Sequence, residues 1–143
     1  MSTVVLIDYG SGNLRSAEKA LARAAAERDR EVVVTAEPEI VAKAERLVLP
    51  GVGAFAHCMS LLHGQPGLVE AMTEAVKARG VPFMGICVGM QLLGDRGLEF
   101  GSTPGLCSTA VMQAAKAPTP GRTIRSARAM MSGSSVVVTV EAP

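Results

Sequence analysis

Short β-branched runs alternate with helix-patterned stretches over the first two thirds of the chain, and this alternation limits the possible folds more than any other feature. A strand that is apolar on both sides has to be covered on both sides. Thr3–Asp8 (TVVLID) is such a near-continuous run, and it predicts a strand inside a parallel sheet with helices above and below. Asn13–Arg28 predicts an Ala-rich helix with Leu14, Ala17, Leu21 and Ala24 on its buried stripe and Arg15, Glu18 and Arg28 in solvent. Val32–Thr35 predicts a second strand, Pro38–Lys43 a short helix opened by proline in its first turn, and Arg46–Leu49 a third strand. Phe55–His63 and Pro66–Arg79 read as helices, with Gly80 as the stop. Phe83–Ile86 is a fourth strand that runs directly into a helix at Val88–Leu93. The expected fold is α/β, doubly wound, with a mostly parallel sheet.

A length of 143 residues suits one domain with a real core. With 48% hydrophobic residues, 19% charged residues and a net charge of +1, the composition argues against a disordered chain and against a nucleic-acid binder. No apolar run approaches the ~20 residues of a membrane span, and the opening MSTVVLIDYG has no basic leader or cleavage site. The expectation is a cytoplasmic protein without membrane or nucleic-acid partners. Cys58, Cys87 and Cys107 are odd in number and irregular in spacing, so neither a disulfide framework nor a metal site is expected, and no cofactor. Thiol chemistry or simple packing is left.

The most informative stretch is Gly85-Ile86-Cys87-Val88-Gly89, a G-x-C-x-G between a predicted strand and a predicted helix. This is the pattern of a nucleophile elbow with cysteine in place of serine. A sharp strand-to-helix turn crowds the backbone on both sides of the nucleophile, and glycine is the residue that adds no Cβ to that crowd. A helix N-terminus offers Cys87 orphan amides that favour thiolate over thiol, and the Val88 amide is placed for an oxyanion. A buried packing cysteine is the plain alternative.

Two further glycine-rich turns follow predicted strands, and the one after the third strand opens on the same carboxyl edge as Cys87, where ligands of doubly wound sheets bind. Leu49-Pro50-Gly51-Val52-Gly53-Ala54 leaves the third strand and is a source for a second oxyanion donor. Asp8-Tyr9-Gly10-Ser11-Gly12-Asn13-Leu14 leaves the first strand; it fails the G-x-G-x-x-G spacing at Arg15 and lacks a P-loop lysine, which argues against nucleotide binding.

Taken together, IDYGSGNLRS, LPGVGAF and GICVGMQLL resemble, in order and spacing, the glutaminase subunit of imidazole glycerol phosphate synthase, within the triad-type class I glutamine amidotransferases. The resemblance covers residues 1–106 and implies a flavodoxin-like domain there. It implies glutamine hydrolysis through a cysteinyl thioester, with ammonia passed to a partner cyclase subunit in a heterodimer serving histidine biosynthesis. By position it implies Cys87 as nucleophile and Val52, Gly53 and Val88 as the oxyanion-hole segment. It further implies Gln91 and Glu99 as glutamine contacts and Asn13 as part of the loop turned toward the cyclase. Unassisted readings of the last three are a surface amide, a solvated charge and a helix cap.

The same resemblance implies a His-Pro-Glu signature carrying the general base and its orienting acid, and this sequence contains none. Its two histidines, His57 and His63, both fall on the predicted helix after PGVG, where a surface role is the ordinary one. Residues 107–143 form an atypical stretch with basic but almost no acidic residues, in which Val136–Val140 reads as a strand. A reading-frame change, a truncation with an unrelated extension or a sequencing error would each produce such a break. The expectation is an amidotransferase subunit inactive as written. The alternatives are a non-catalytic α/β module that keeps its partner-binding loops, or another thiol hydrolase with a GxCxG elbow.

Overall fold

The computed structural model describes residues 2–94, 96–98 and 103–106, and the backbone of residues 130–131 and 136–140. In chain order the elements are β1 (Ser2–Ile7), α1 (Leu14–Ala26), β2 (Arg30–Thr35), α2 (Pro38–Lys43), β3 (Arg46–Leu49), α3 (Phe55–His63) and α4 (Leu68–Lys77). They are followed by β4 (Phe83–Ile86), α5 (Val88–Gln91), β5 (Arg96–Gly97), β6 (Thr103–Pro104), β7 (Met130–Met131) and β8 (Val136–Val140).

The main sheet has the order β2-β1-β3-β4-β8-β7. Its first four strands are parallel, with Val5 opposite Val33 and Leu47, and Val48 opposite Met84. Strand β8, foreseen as a strand but not as a neighbour, pairs antiparallel to β4, and β7 pairs antiparallel to β8. A separate two-stranded ribbon joins β5 to β6.

Side chains alternate across each strand, and the two faces therefore collect different cores. Val5, Ile7, Leu47, Leu49 and Phe83 pack with α2, α3 and α4, through Val41, Met59, Leu62, Leu68 and Met72. Val4, Leu6 and Val48 face the other way, beneath Leu14, Ala17 and Leu21 of α1. Helices on both faces of a parallel sheet are the doubly wound arrangement expected from the sequence.

Local corrections follow from tertiary packing. On α1 the last buried position is Ala25 and Ala24 is exposed, because the stripe drifts around a helix of 3.6 residues per turn. Helix α4 starts at Leu68 rather than Pro66, since Gly67 at φ +74° breaks the run before it. Helix α5 stops at Gln91, two residues short of the expected end, where Leu92 and Leu93 continue as turns. Arg79, just past α4, donates from Nη1 to Ala42 O and from Nη2 to Lys43 O (3.3 Å) and Ala44 O (2.9 Å), satisfying the carbonyls at the end of α2. Among the described residues, no helix is long and apolar enough to cross a membrane.

Candidate functional site

The strand order 2-1-3-4 reverses direction between β1 and β3, and in such sheets the crevice lies at that switch, outside the carboxyl ends of the strands. The loops leaving β1, β3 and β4 are the three glycine-rich turns picked out in the sequence. The fold brings all three together.

Cys87 sits at φ 54° and ψ −123°, one of two non-glycine residues with positive φ among those described. Such a backbone costs on the order of 1–3 kcal/mol and persists only where neighbours impose it. The neighbours are β4, held in register with β3 up to Gly85, and α5, whose Met90 and Gln91 amides donate to Cys87 O at 3.0 and 3.4 Å. The flanking glycines are required sterically. A Cβ on Gly85 would lie 2.5 Å from Met90 Cα; one on Gly89 would strike Leu49 O and lie 2.8 Å from Pro50 C. Gly51 belongs to the same crossing, since a Cβ there would strike Gly89 N and come within 3.0 Å of Val88 C. Backbone passes directly over backbone at this point, which explains why PGVG and GICVG occur together.

The β1–α1 loop latches onto the β3–α3 loop through side chains that sequence reasoning left unassigned. Tyr9 is fully buried and donates its hydroxyl to Pro50 O at 2.7 Å. Burial, with the nearby Cys58 second, pushes the Tyr9 phenol well above its usual range and keeps it a neutral donor. Ser11, also buried, accepts from Val52 N–H at 3.0 Å and lies 3.0 Å from Val52 O and 3.2 Å from Cys58 Sγ. Cys58 Sγ is in turn 3.3 Å from Val52 O. These partners are 41 residues apart for Tyr9–Pro50 and Ser11–Val52, so no local pattern announces them.

Of the three nominated oxyanion donors, the Val52 amide is engaged by Ser11, while Gly53 N–H and Val88 N–H have no acceptor among the described residues. Val88 lies directly after the sulfur-bearing residue, and Gly53, at φ +95°, is on the exposed side of the loop. Gln91 is exposed at the end of α5, one turn beyond Cys87. Asn13 caps α1, its Oδ1 accepting from Ser16 N–H at 3.4 Å, which is the plain reading of that residue. Glu99 and Cys107 lie outside the described residues. His57 and His63 are both exposed on α3, and neither has a hydrogen bond to Cys87. A half-buried thiol on a strained turn, followed directly by the Val88 amide, suits addition to a carbonyl carbon.

The profile of the family described as glutamine amidotransferase class-I matches residues 5–140, which extends past Leu106, where the sequence motifs end. The chain is 67% identical over 108 residues to the imidazole glycerol phosphate synthase subunit HisH of Caulobacter vibrioides, an alignment covering 74% of this chain and 50% of that protein. It is 60% identical over 105 residues to the same-named subunit of Rhodospirillum rubrum, covering 72% and 49%. With the subunit of Ruegeria pomeroyi the figures are 58% over 102 residues, covering 71% and 48%. The chain thus spans about half the length of the curated relatives it matches.

Proposed function

The chain belongs to the class-I glutamine amidotransferase family, and from that premise we propose that it carries the nucleophile of the glutaminase subunit of an imidazole glycerol phosphate synthase in histidine biosynthesis. The observation that carries this reading is the backbone of Cys87, held at positive φ between two glycines that have no room for a Cβ.

In this reading the Cys87 thiolate attacks the side-chain amide carbon of glutamine. The C–S bond forms as the carbonyl π pair moves onto oxygen, and Val88 N–H with Gly53 N–H holds the oxyanion. Collapse expels ammonia, which must take up a proton as it leaves, and a thioester remains. Water then cleaves the thioester to glutamate and returns the thiol. Gln91 and Glu99 contact the substrate, and Asn13 belongs to the loop facing a cyclase partner that consumes the ammonia in the cytoplasm.

No side chain among the described residues is hydrogen-bonded to the Cys87 thiol. Exposed His57 and His63 have no bond to the thiol, so these residues are assigned the nucleophile and oxyanion parts of the site and not the base. General acid–base help is worth ~10²–10⁴-fold, and turnover by this chain alone is expected near background.

A coupled assay with an intact cyclase tests the proposal, run first with glutamine and then with an ammonium salt. Product from ammonium only fits it; robust product from glutamine would mean that a base acts within these residues, with His57 and His63 the first to replace. Partial alkylation with iodoacetamide, followed by peptide mass spectrometry, tests the thiol assignment separately. Cys87 should be modified ahead of Cys58, which is fully buried.

A further inference from the structure

Tyr9 is the bulkiest of the fully buried side chains, and phenylalanine would supply the same ring. The hydroxyl therefore needs a reason. It donates to Pro50 O at 2.7 Å, across 41 residues of sequence. Strand β3 pairs with β4 only as far as Leu49 opposite Gly85, so Pro50 is the first residue beyond that ladder. Pro50 is itself buried, and a buried carbonyl that loses its donor either costs free energy or turns to find another. Burial keeps the phenol neutral, and so a donor, at ordinary pH.

The segment that Tyr9 holds is the one that crosses the elbow. A Cβ on Gly51 would stand 3.0 Å from both Tyr9 Oη and Val88 C and would strike Gly89 N, while a Cβ on Gly89 would lie 2.8 Å from Pro50 C. Between the phenol and the start of α5 there is one layer of backbone. Val88 directly follows Cys87, which carries φ 54° at the N-cap of α5. A cysteine keeps such a backbone only where its neighbours impose it. Resting on the reading of Cys87 as the glutaminase nucleophile, we infer that Tyr9 is a positioning residue: its hydroxyl, through the Pro50 carbonyl, holds Pro50–Gly51 against Val88–Gly89 and so keeps Cys87 in its strained turn. Tyr9 has no bond to the sulfur. It acts through the intervening backbone.

Two reagents separate bracing of the turn from a general loss of stability. Acylation of Cys87 by a γ-glutamyl p-nitrophenyl ester requires the sulfur to meet a carbonyl carbon in one geometry, and it releases a burst of p-nitrophenolate, which needs no proton to leave. Alkylation by iodoacetamide requires little more than an accessible thiol. Tyr9→Phe keeps the ring and removes only the donor. It is expected to lower the ratio of acylation to alkylation by about tenfold, since a misplacement of ~1 Å can cost ~10²-fold. Val41→Ala opens a cavity beneath α2, away from the turn, and should lower the melting temperature while leaving the ratio unchanged. Amide hydrogen exchange reads the turn directly through Met90 and Gln91, which donate to Cys87 O. Both should exchange at least ~10-fold faster in Tyr9→Phe while Leu6 and Val48 in the sheet keep their protection.

A ratio that is unchanged or that rises in Tyr9→Phe overturns the positioning role, as does an equal fall in Val41→Ala or α5 exchange indifferent to Tyr9. A Tyr9→Phe chain that does not fold overturns it as well, because a brace on one turn leaves the sheet standing without it. A parent chain whose Cys87 alkylates but does not acylate overturns the glutaminase reading alone, and exchange at Met90 and Gln91 still decides whether Tyr9 braces the turn.

Discussion

At the β4–α5 turn the glycines are fixed by their surroundings: a Cβ on Gly85 or Gly89 would run into the backbone of Met90 or of Leu49 and Pro50. At the β1–α1 turn Gly10 would meet only the Leu61 side chain, at 3.9 Å, so what it needs is its φ of +93° and not the space. Gly12 stands between the two, with a φ of +114° and Pro50 Cβ at 2.7 Å. Both turns leave the same sheet edge and both read as glycine-rich loops. One is a backbone crossing that holds Cys87 at positive φ, whereas the other is held by the side chains of Tyr9 and Ser11. The requirement is steric at Gly85 and Gly89, conformational at Gly10 and both at Gly12, and the two kinds fail differently when broken.

The largest effect is expected at Cys87 itself. Cys87→Gly should abolish acylation by the γ-glutamyl ester, a loss of about 10⁴-fold or more. The same change should stabilise the fold by roughly 1–3 kcal/mol, because glycine adopts φ 54° without strain. Denaturant unfolding beside the burst assay reads both, and a destabilised Cys87→Gly would mean that the turn stores no strain.

Next comes Gly89→Ala, whose methyl group cannot be placed without moving the β3 exit. A loss of about 3 kcal/mol or more is expected. Gly53→Ala, with open space but positive φ, should lose only about 1–2 kcal/mol. Equal thermal shifts for the two would remove the steric account of the elbow.

On the other loop, Tyr9→Phe leaves the Pro50 carbonyl without its donor and should cost about 1–2 kcal/mol at pH 8. The pH dependence follows from the sign of the shift. The folded-state phenol titrates above the ordinary value of about 10, so its stabilisation is fully present below pH ~10 and is lost as pH rises beyond it. Stability curves of parent and variant should therefore converge above pH ~10, and parallel curves would contradict the assignment.

Gly10→Ala is expected to be the mildest, about 1 kcal/mol from the left-handed backbone alone, with the acylation-to-alkylation ratio unchanged. A large fall in that ratio would show that the two loops are not as distinct as their contacts indicate.

The sequence by itself determined the elements and the strand-to-helix turn that carries Cys87. The boundaries of α2, β3, α3 and β4 coincide with those read from apolar runs, the proline at Pro38 and the Pro50 stop, because these signals act within a few residues. The GxCxG pattern was legible for the same reason, as both glycines flank the turn they serve. Only the tertiary structure decided which face each loop turns and what meets it. Ser11, Tyr9 and Cys58 look like ordinary residues in the sequence, and they acquire roles when the strand order places β1 beside β3, joining positions 41 residues apart. The antiparallel placement of β8 against β4 was likewise open, since an apolar run fixes a strand but not its neighbour. Periodicity and turn chemistry are local and are written in the chain, whereas hydrogen-bond partnership across a sheet edge depends on the order of strands, which no short stretch of residues encodes.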